Sequence, residues 1–411
     1  MIKQSRRLRK KLAVVFIIMF VYILGQSIPL PYVQINEAEI RADQTFVQLL
    51  QTINGSGRQA VSIFSIGILP YMMSSILLML KNLGNSGKRR ISLISPVKQT
   101  RLLALVICFV MAFLRTANYE YTTLLLNNVY VSRAFTIMIL ITGSFTIVWL
   151  ADLNTGKGIG GMVVIIIVNI MKNIIRSVLT VWNGFQTGLY GSREDVSQIA
   201  LLLAIGLISM LTILLLEESE FRIPIQKVMI YNEMAEDNYM ALKLDPIGIQ
   251  PMMYVMAFYI IPYYLLNILA YLFPDKTVFA VLATKVRLDN LLGIGIFLIL
   301  FFLLTLALAM VQINPSELAE QMMKGGDCII GLRPGKETQD YLRKTVLCLS
   351  VFSSIVLGIL IGLPLILKVI WGLPQELAMI PMSLMFIGGI SRNIFLEIRV
   401  VNRLDSYQEV L

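Results

Sequence analysis

Ten apolar runs, separated by short polar stretches, dictate what this chain can become. They fall at residues 12–30, 68–80, 102–114, 134–150, 162–175, 199–216, 249–272, 291–311, 346–367 and 377–395. A helix crossing the hydrocarbon of a bilayer needs about 20 mostly apolar residues, because lipid offers its backbone no hydrogen bonds. Of the 411 residues 57% are hydrophobic and only 15% charged, against roughly 25% charged in an ordinary soluble domain. One soluble core could not hide that much apolar surface. The expectation is an all-α membrane protein of about ten transmembrane helices. The second, third and fifth runs are short for a bilayer. They require tilt, polar extension or shielding by neighbours.

Charge sets the orientation. Residues 1–11 and 81–101 hold six Lys and Arg each, and cytoplasmic loops carry the excess of such residues. With an even number of spans, both termini then face the cytosol. The first run is too long for a signal-peptide core and no small-residue cleavage site follows it, so it reads as a retained span. Lys172, Arg176 and Arg392 are expected near span ends, where long side chains reach the interface. Most spans hold no charge in their middles, which weakens an ion-coupled transporter, since those bind the coupling ion on intramembrane charges.

Catalytic chemistry finds little to work with. The chain has no histidine, and its three cysteines, Cys108, Cys328 and Cys348, form no metal spacing. No phosphate-binding loop, nucleophile elbow or metal motif is present. The reading is a protein without enzyme activity, cofactor or metal, whose energy comes from a partner. The formal net charge of +10 is a topology signal and does not argue for nucleic acid.

Four stretches are unusual for membrane loops. The first is Ser62-Ile63-Phe64-Ser65-Ile66-Gly67-Ile68-Leu69-Pro70-Tyr71, a small-residue segment running into a helix start at Pro70. The second is Trp149-Leu150-Ala151-Asp152 followed by Gly158-Ile159-Gly160, which a tight inter-helix turn explains equally well. The third is Arg222-Ile223-Pro224-Ile225-Gln226, with Leu244-Asp245-Pro246-Ile247-Gly248 further on. The fourth is Asn314-Pro315, then Ala319-Glu320, then Gly331-Leu332-Arg333-Pro334-Gly335 and Thr338. In this order they resemble the SecY family of protein-translocation channels. Departures are Phe221 for the first Arg of Arg-Arg-Ile-Pro, Gly161 and Met162 for Asn and Gly, and Asp245 for Asn. The short loops and broken motifs look most like the accessory SecY of certain Gram-positive bacteria.

The resemblance implies two five-helix halves, 1–190 and 191–411, around a central pore. It implies a plug at about 54–67, including Ser62, Ile63, Phe64 and Ser65. It implies a pore ring of Ile68, Met72, Val163, Ile167, Met253 and Phe386. Such an apolar ring passes an extended chain without binding it and dewets when closed. Met73 and Ile261 fall at positions of a lateral gate between the second and seventh spans. The loops at about 217–248 and 313–344 would dock a motor through Arg222, Arg333, Pro334 and Gly335, Arg333 standing outward on a rigid turn where its fork can grip carboxylates. Implied partners are a SecA-type ATPase, a small SecE-type membrane subunit, accessory Sec proteins and a serine-rich secreted glycoprotein, in the lipid bilayer of the cell membrane. Within the family the alternative is a housekeeping channel. Outside it stand a secondary transporter of a small solute and a membrane scaffold.

Overall fold

The computed structural model describes residues 6–31, 33–34, 62–83, 96–116, 119–121, 128–188, 193–227, 238–273, 277–288 and 290–408. The protein is mostly helical. Each apolar run lies in its own helix: α1 (Arg6–Ser27), α2 (Leu69–Leu83), α3 (Pro96–Thr116), α4 (Val129–Lys157), α5 (Val163–Gln186), α6 (Arg193–Glu218) and α7 (Gln250–Leu272). After the short α8 (Thr277–Lys285) come α9 (Leu291–Ile313), the short α10 (Pro315–Gly325), α11 (Lys336–Trp371) and α12 (Gln375–Gln408). By length and apolarity alone, seven of the described helices qualify as spans. Large apolar side chains point outward along them, Leu211, Leu215 and Ile299 each more than 60% exposed. In water that surface would be a liability; in lipid it is solvated.

Several helices overrun their apolar runs. Polar residues extend α3 and α11 at their N-terminal ends and α4 and α12 at their C-terminal ends, because a helix leaving the bilayer loses nothing by continuing in water. One sequence expectation changes as a result. Trp149 to Lys157 is the last part of α4, and the inter-helix turn is confined to residues 158–162. Asn154 folds back at that point, its Nδ2 donating to the carbonyls of Ile159 (2.9 Å) and Gly161 (2.7 Å). Lys172 and Arg176 sit mid-way along α5, which runs on to Gln186. The Lys172 ammonium donates to Gln26 Oε1, at the C-terminal end of α1.

A small sheet departs from the all-helical expectation. β1 (Val33–Gln34) pairs with β2 (Glu120–Tyr121). The larger sheet has the order β4 (Tyr239–Lys243), β3 (Glu220–Lys227), β5 (Asp327–Ile329), all antiparallel. It has its own apolar base, where Ile223, Leu242 and Ile329 pack with Met322 of α10 and Leu342 and Val346 of α11. The α9–α10 corner is made by Asn314 at φ 45°, a left-handed conformation Asn tolerates better than most. Pro315 opens the next helix at a position where a missing N–H costs nothing.

Helices from the first five spans meet the later ones along two seams. On one, α1 and α5 pack on α12; on the other, α2 packs on α7 and α9. The largest apolar cluster lies between them.

Candidate functional site

The six ring candidates all reach that cluster. Ile68 is the last residue before α2, and Met72 follows one turn on. Both are buried, as are Met253 of α7 and Phe386 of α12. Val163 and Ile167, one turn apart on α5, are half-buried and pack against the same cluster. All six therefore belong to or pack on one apolar cluster, and none of them is charged. Met73 is buried on α2, the helix that faces α7. Ile261 lies in α7, its side chain outside the described residues.

Immediately before the ring, residues 62–67 form a set of turns wedged among α1, α3 and α4. Several of its backbone groups are satisfied by the elements around it, as a buried non-helical segment in a membrane protein requires. Ser62 bridges to Pro29, and the Ile63 N–H donates to the Ile28 carbonyl at 3.3 Å. The Arg115 guanidinium donates to the Ser65 carbonyl. Ser144 Oγ donates to the Gly67 carbonyl at 2.9 Å. Inside, Ser65 N–H reaches Ser62 O and Gly67 N–H reaches Phe64 O, both at 3.0 Å.

Two glycines let the segment lie this close. A Cβ on Gly143 of α4 would run into the Ile63 carbonyl, and one on Gly25 of α1 would run into the Phe64 ring. Phe64 also stacks on Tyr22, the centroids 6.0 Å apart. Tyr22 anchors a buried polar knot between α1 and α5. Its hydroxyl accepts from Gln26 Nε2 at 2.7 Å and Asn169 Nδ2 at 3.0 Å. Ser62 and Ser65 are buried, and their hydroxyls find no hydrogen-bond partner among the described residues.

Of the plug expected at about 54–67, residues 54–61 lie outside the described residues. Arg115, Gly143, Ser144, Gly25 and Tyr22 are additions that motif reading missed. The available signal was a glycine interrupting an apolar run, as at Gly25 and Gly143.

The sheet end presents a different surface. Arg222 on β3 is exposed, its guanidinium 4.4 Å from the Tyr239 ring centre and 3.8 Å from the Glu220 carboxylate. Arg333 is exposed on the turn between β5 and α11. The turn is held by its own groups: Arg333 N–H donates to Glu337 Oε2 at 3.2 Å, and Thr338 Oγ1 donates to the Arg333 carbonyl at 2.9 Å. Gly331 (φ 86°) and Gly335 (φ 114°) take conformations that side chains resist. Pro334 between them fixes a third dihedral. The Arg333 side chain is therefore left projecting from a stiff loop. Residues 228–237, inside the first docking stretch, lie outside the described residues.

Comparison with known proteins decides the family. A family model for SecY matches residues 62–400. The chain belongs to the SecY family. The relatives include accessory Sec system protein translocase subunit SecY2 of Streptococcus agalactiae serotype Ia, 29% identical over 98% of this chain and 95% of that protein. The SecY2 of Streptococcus pneumoniae serotype 4 is 28% identical, with 96% of each chain covered. Among solved structures, one described as the structure of a protein conducting channel superposes with a TM-score of 0.61. It covers 95% of this chain and 92% of that one at 17% identity. A second, from work on the SecY plug domain, gives 0.59 at 16% identity, with coverage of 95% and 92%. At such identity the likeness is one of fold. This SecY-family chain is a multi-pass membrane protein.

Proposed function

We propose that this chain is the pore-forming subunit of an accessory Sec translocase, passing unfolded polypeptides across the cytoplasmic membrane. The observation that carries the reading is an apolar cluster with a compact turn packed against it. Six apolar side chains (Ile68, Met72, Val163, Ile167, Met253, Phe386) belong to or pack on that cluster, and the turn (residues 62–67) receives hydrogen bonds from outside itself. An apolar constriction holds no site for a passing chain and excludes water when closed. The turn is the plug that blocks it. Opening then requires the 62–67 segment to leave Arg115, Ser144 and Tyr22, while the ring side chains swing apart.

The seam of α2 against α7, with Met73 and Ile261, is the lateral exit toward lipid. The exposed Arg222 and Arg333, with the Pro334–Gly335 turn, dock a SecA-type ATPase, because a positioned guanidinium grips carboxylates bidentately. A SecE-type subunit braces the bundle, accessory Sec proteins join it, and the cargo is a serine-rich glycosylated surface adhesin. The accessory assignment follows the naming of the streptococcal relatives. Both termini lie in the cytosol, where the basic residues 1–11 and 81–101 also lie.

The test is depletion of this protein in its host, followed by quantitative proteomics of cell wall and medium. Loss of one or a few very large surface glycoproteins with bulk secretion intact is the expected result. A general collapse of secretion would assign the housekeeping role. An unchanged exported proteome would overturn the channel reading and favour a small-solute transporter.

A further inference from the structure

The turn of residues 158–162 joins α4 to α5, and α5 begins at Val163, a ring candidate. One peptide unit in this turn is gripped at both ends. Its carbonyl, that of Ile159, accepts from Asn154 Nδ2 of α4 at 2.9 Å. Its N–H, that of Gly160, donates to Glu397 Oε2 of α12 at 2.8 Å. In a planar trans peptide these two groups point in opposite directions, so a single rigid plane spans from α4 to α12. Asn154 is buried and also holds the Gly161 carbonyl at 2.7 Å, while its own carbonyl accepts from the Gly158 N–H at 2.8 Å. The α4 end of the plane is therefore fixed, and Glu397 secures the other end.

The sequence prepares this contact. Gly160 and Gly161 have φ of 77° and 47°, a backbone course that side chains resist. Ile394, three positions before Glu397, backs the same spot: a Cβ on Gly160 would lie 3.5 Å from Ile394 Cγ1 and 3.1 Å from Val164 Cγ2. On its other side α12 is tied to α6, along which it packs and where Arg392 pairs with Glu218. Glu397 thus links the start of α5 to a helix anchored among the later spans. Val163 stands in the first turn of α5, and Ile167 one turn on, so both follow the position of the turn. Phe386 lies on α12 itself. Glu397 is exposed, and an exposed hydrogen bond adds little to global stability. Its effect is on position.

We propose that Glu397 is a positioning residue of the pore: by holding the Ile159–Gly160 peptide against α12, it sets where Val163 and Ile167 stand relative to Phe386. This role rests on the proposed channel and ring.

The test measures ion leak of the full chain, purified with any subunits bound to it and reconstituted in lipid bilayers, beside its Tm in detergent. The variants are Glu397→Leu, which removes the acceptor at similar size, Glu397→Gln, which keeps a carbonyl oxygen there, and Gly143→Ala. Glu397→Leu is expected to leak several-fold more than wild type with Tm nearly unchanged, and Glu397→Gln to restore most of the seal. Hydrogen exchange of the Gly160 amide should be several-fold faster in Glu397→Leu than in Glu397→Gln. If Glu397→Leu does not fold, Glu397→Asp, one methylene shorter, carries the same comparison. Wild-type leak in Glu397→Leu would overturn the proposal. So would equal leak in the Leu and Gln variants, or leak that rises only in step with a falling Tm. Gly143→Ala disturbs the 62–67 turn and leaves Glu397 untouched. If it leaks while Glu397→Leu stays tight, only the positioning role falls; if neither leaks, the channel reading falls with it.

Discussion

The 62–67 turn and the Gly331–Gly335 turn are both short, irregular and rich in small residues, yet they are built on opposite principles. The first is held from outside. Besides its two internal bonds, its carbonyls and N–H groups go to Ile28, Arg115 and Ser144, and it presses on Gly25 and Gly143. The second is held from within, by Glu337 and Thr338 one turn away and by two glycines in conformations only they accept readily. A turn that must be released is best fixed by bonds to other elements, since those break as a set. A turn that must present a side chain to a partner is best fixed by its own bonds, since those survive docking.

That contrast can be broken or sharpened by mutation. The largest effect is expected from Arg333→Glu. Reversing a central docking charge should weaken motor binding at least about thirtyfold and stop motor-driven export, with Tm unchanged; export at the normal rate would remove Arg333 from the dock. Next is Gly143→Ala, whose methyl meets the Ile63 carbonyl. Forcing that contact should cost about 1–3 kcal/mol, lower Tm and raise ion leak in a reconstituted bilayer. Arg115→Ala strips the buried Ser65 carbonyl of its donor, a loss of about 1–3 kcal/mol. Leak should rise here while motor affinity stays the same, and a shift in motor affinity without leak would merge the two turns into one device. Tyr22→Phe keeps the stack on Phe64 and removes the hydroxyl from Gln26 and Asn169. Its cost should be about 1 kcal/mol, read as a small fall in Tm. Smallest is Met72→Ile with Met253→Ile. It should leave Tm nearly unchanged but impair export of the native cargo, because two thioethers deform more readily than branched chains. Export at wild-type rate would show that the ring's softness is irrelevant.

The sequence made the helices legible because lipid imposes one rule on every span, and each apolar run became one helix. Helix ends were less legible. Apolarity marks only the part inside the bilayer, so the polar first turns of α11 and the last turns of α4 were invisible to it. Nor does apolarity show the partner of Lys172, since Gln26 lies 146 residues away. Local chemistry was readable where it was self-contained: Pro70 in the first turn of α2, Asn314–Pro315 at a corner, Arg333 outward on its turn. The partners of residues 62–67 were not, because each comes from a different helix and none carries a motif of its own. The sheet escaped notice since β3 and β5 lie about a hundred residues apart and neither carries a motif that points to the other.

The 36 residues of α11 run without a break from the Arg333 turn to Trp371, a rod of about 54 Å at 1.5 Å per residue. Until Pro364 its internal ladder is uninterrupted, and α6, α9, α10 and α12 all lean on it. Such a rod acts as a lever arm. A tilt of about 5° at the turn end would displace the opposite end by about 5 Å, roughly one helical pitch, so a push on a few residues at one end of this helix would be felt at the other.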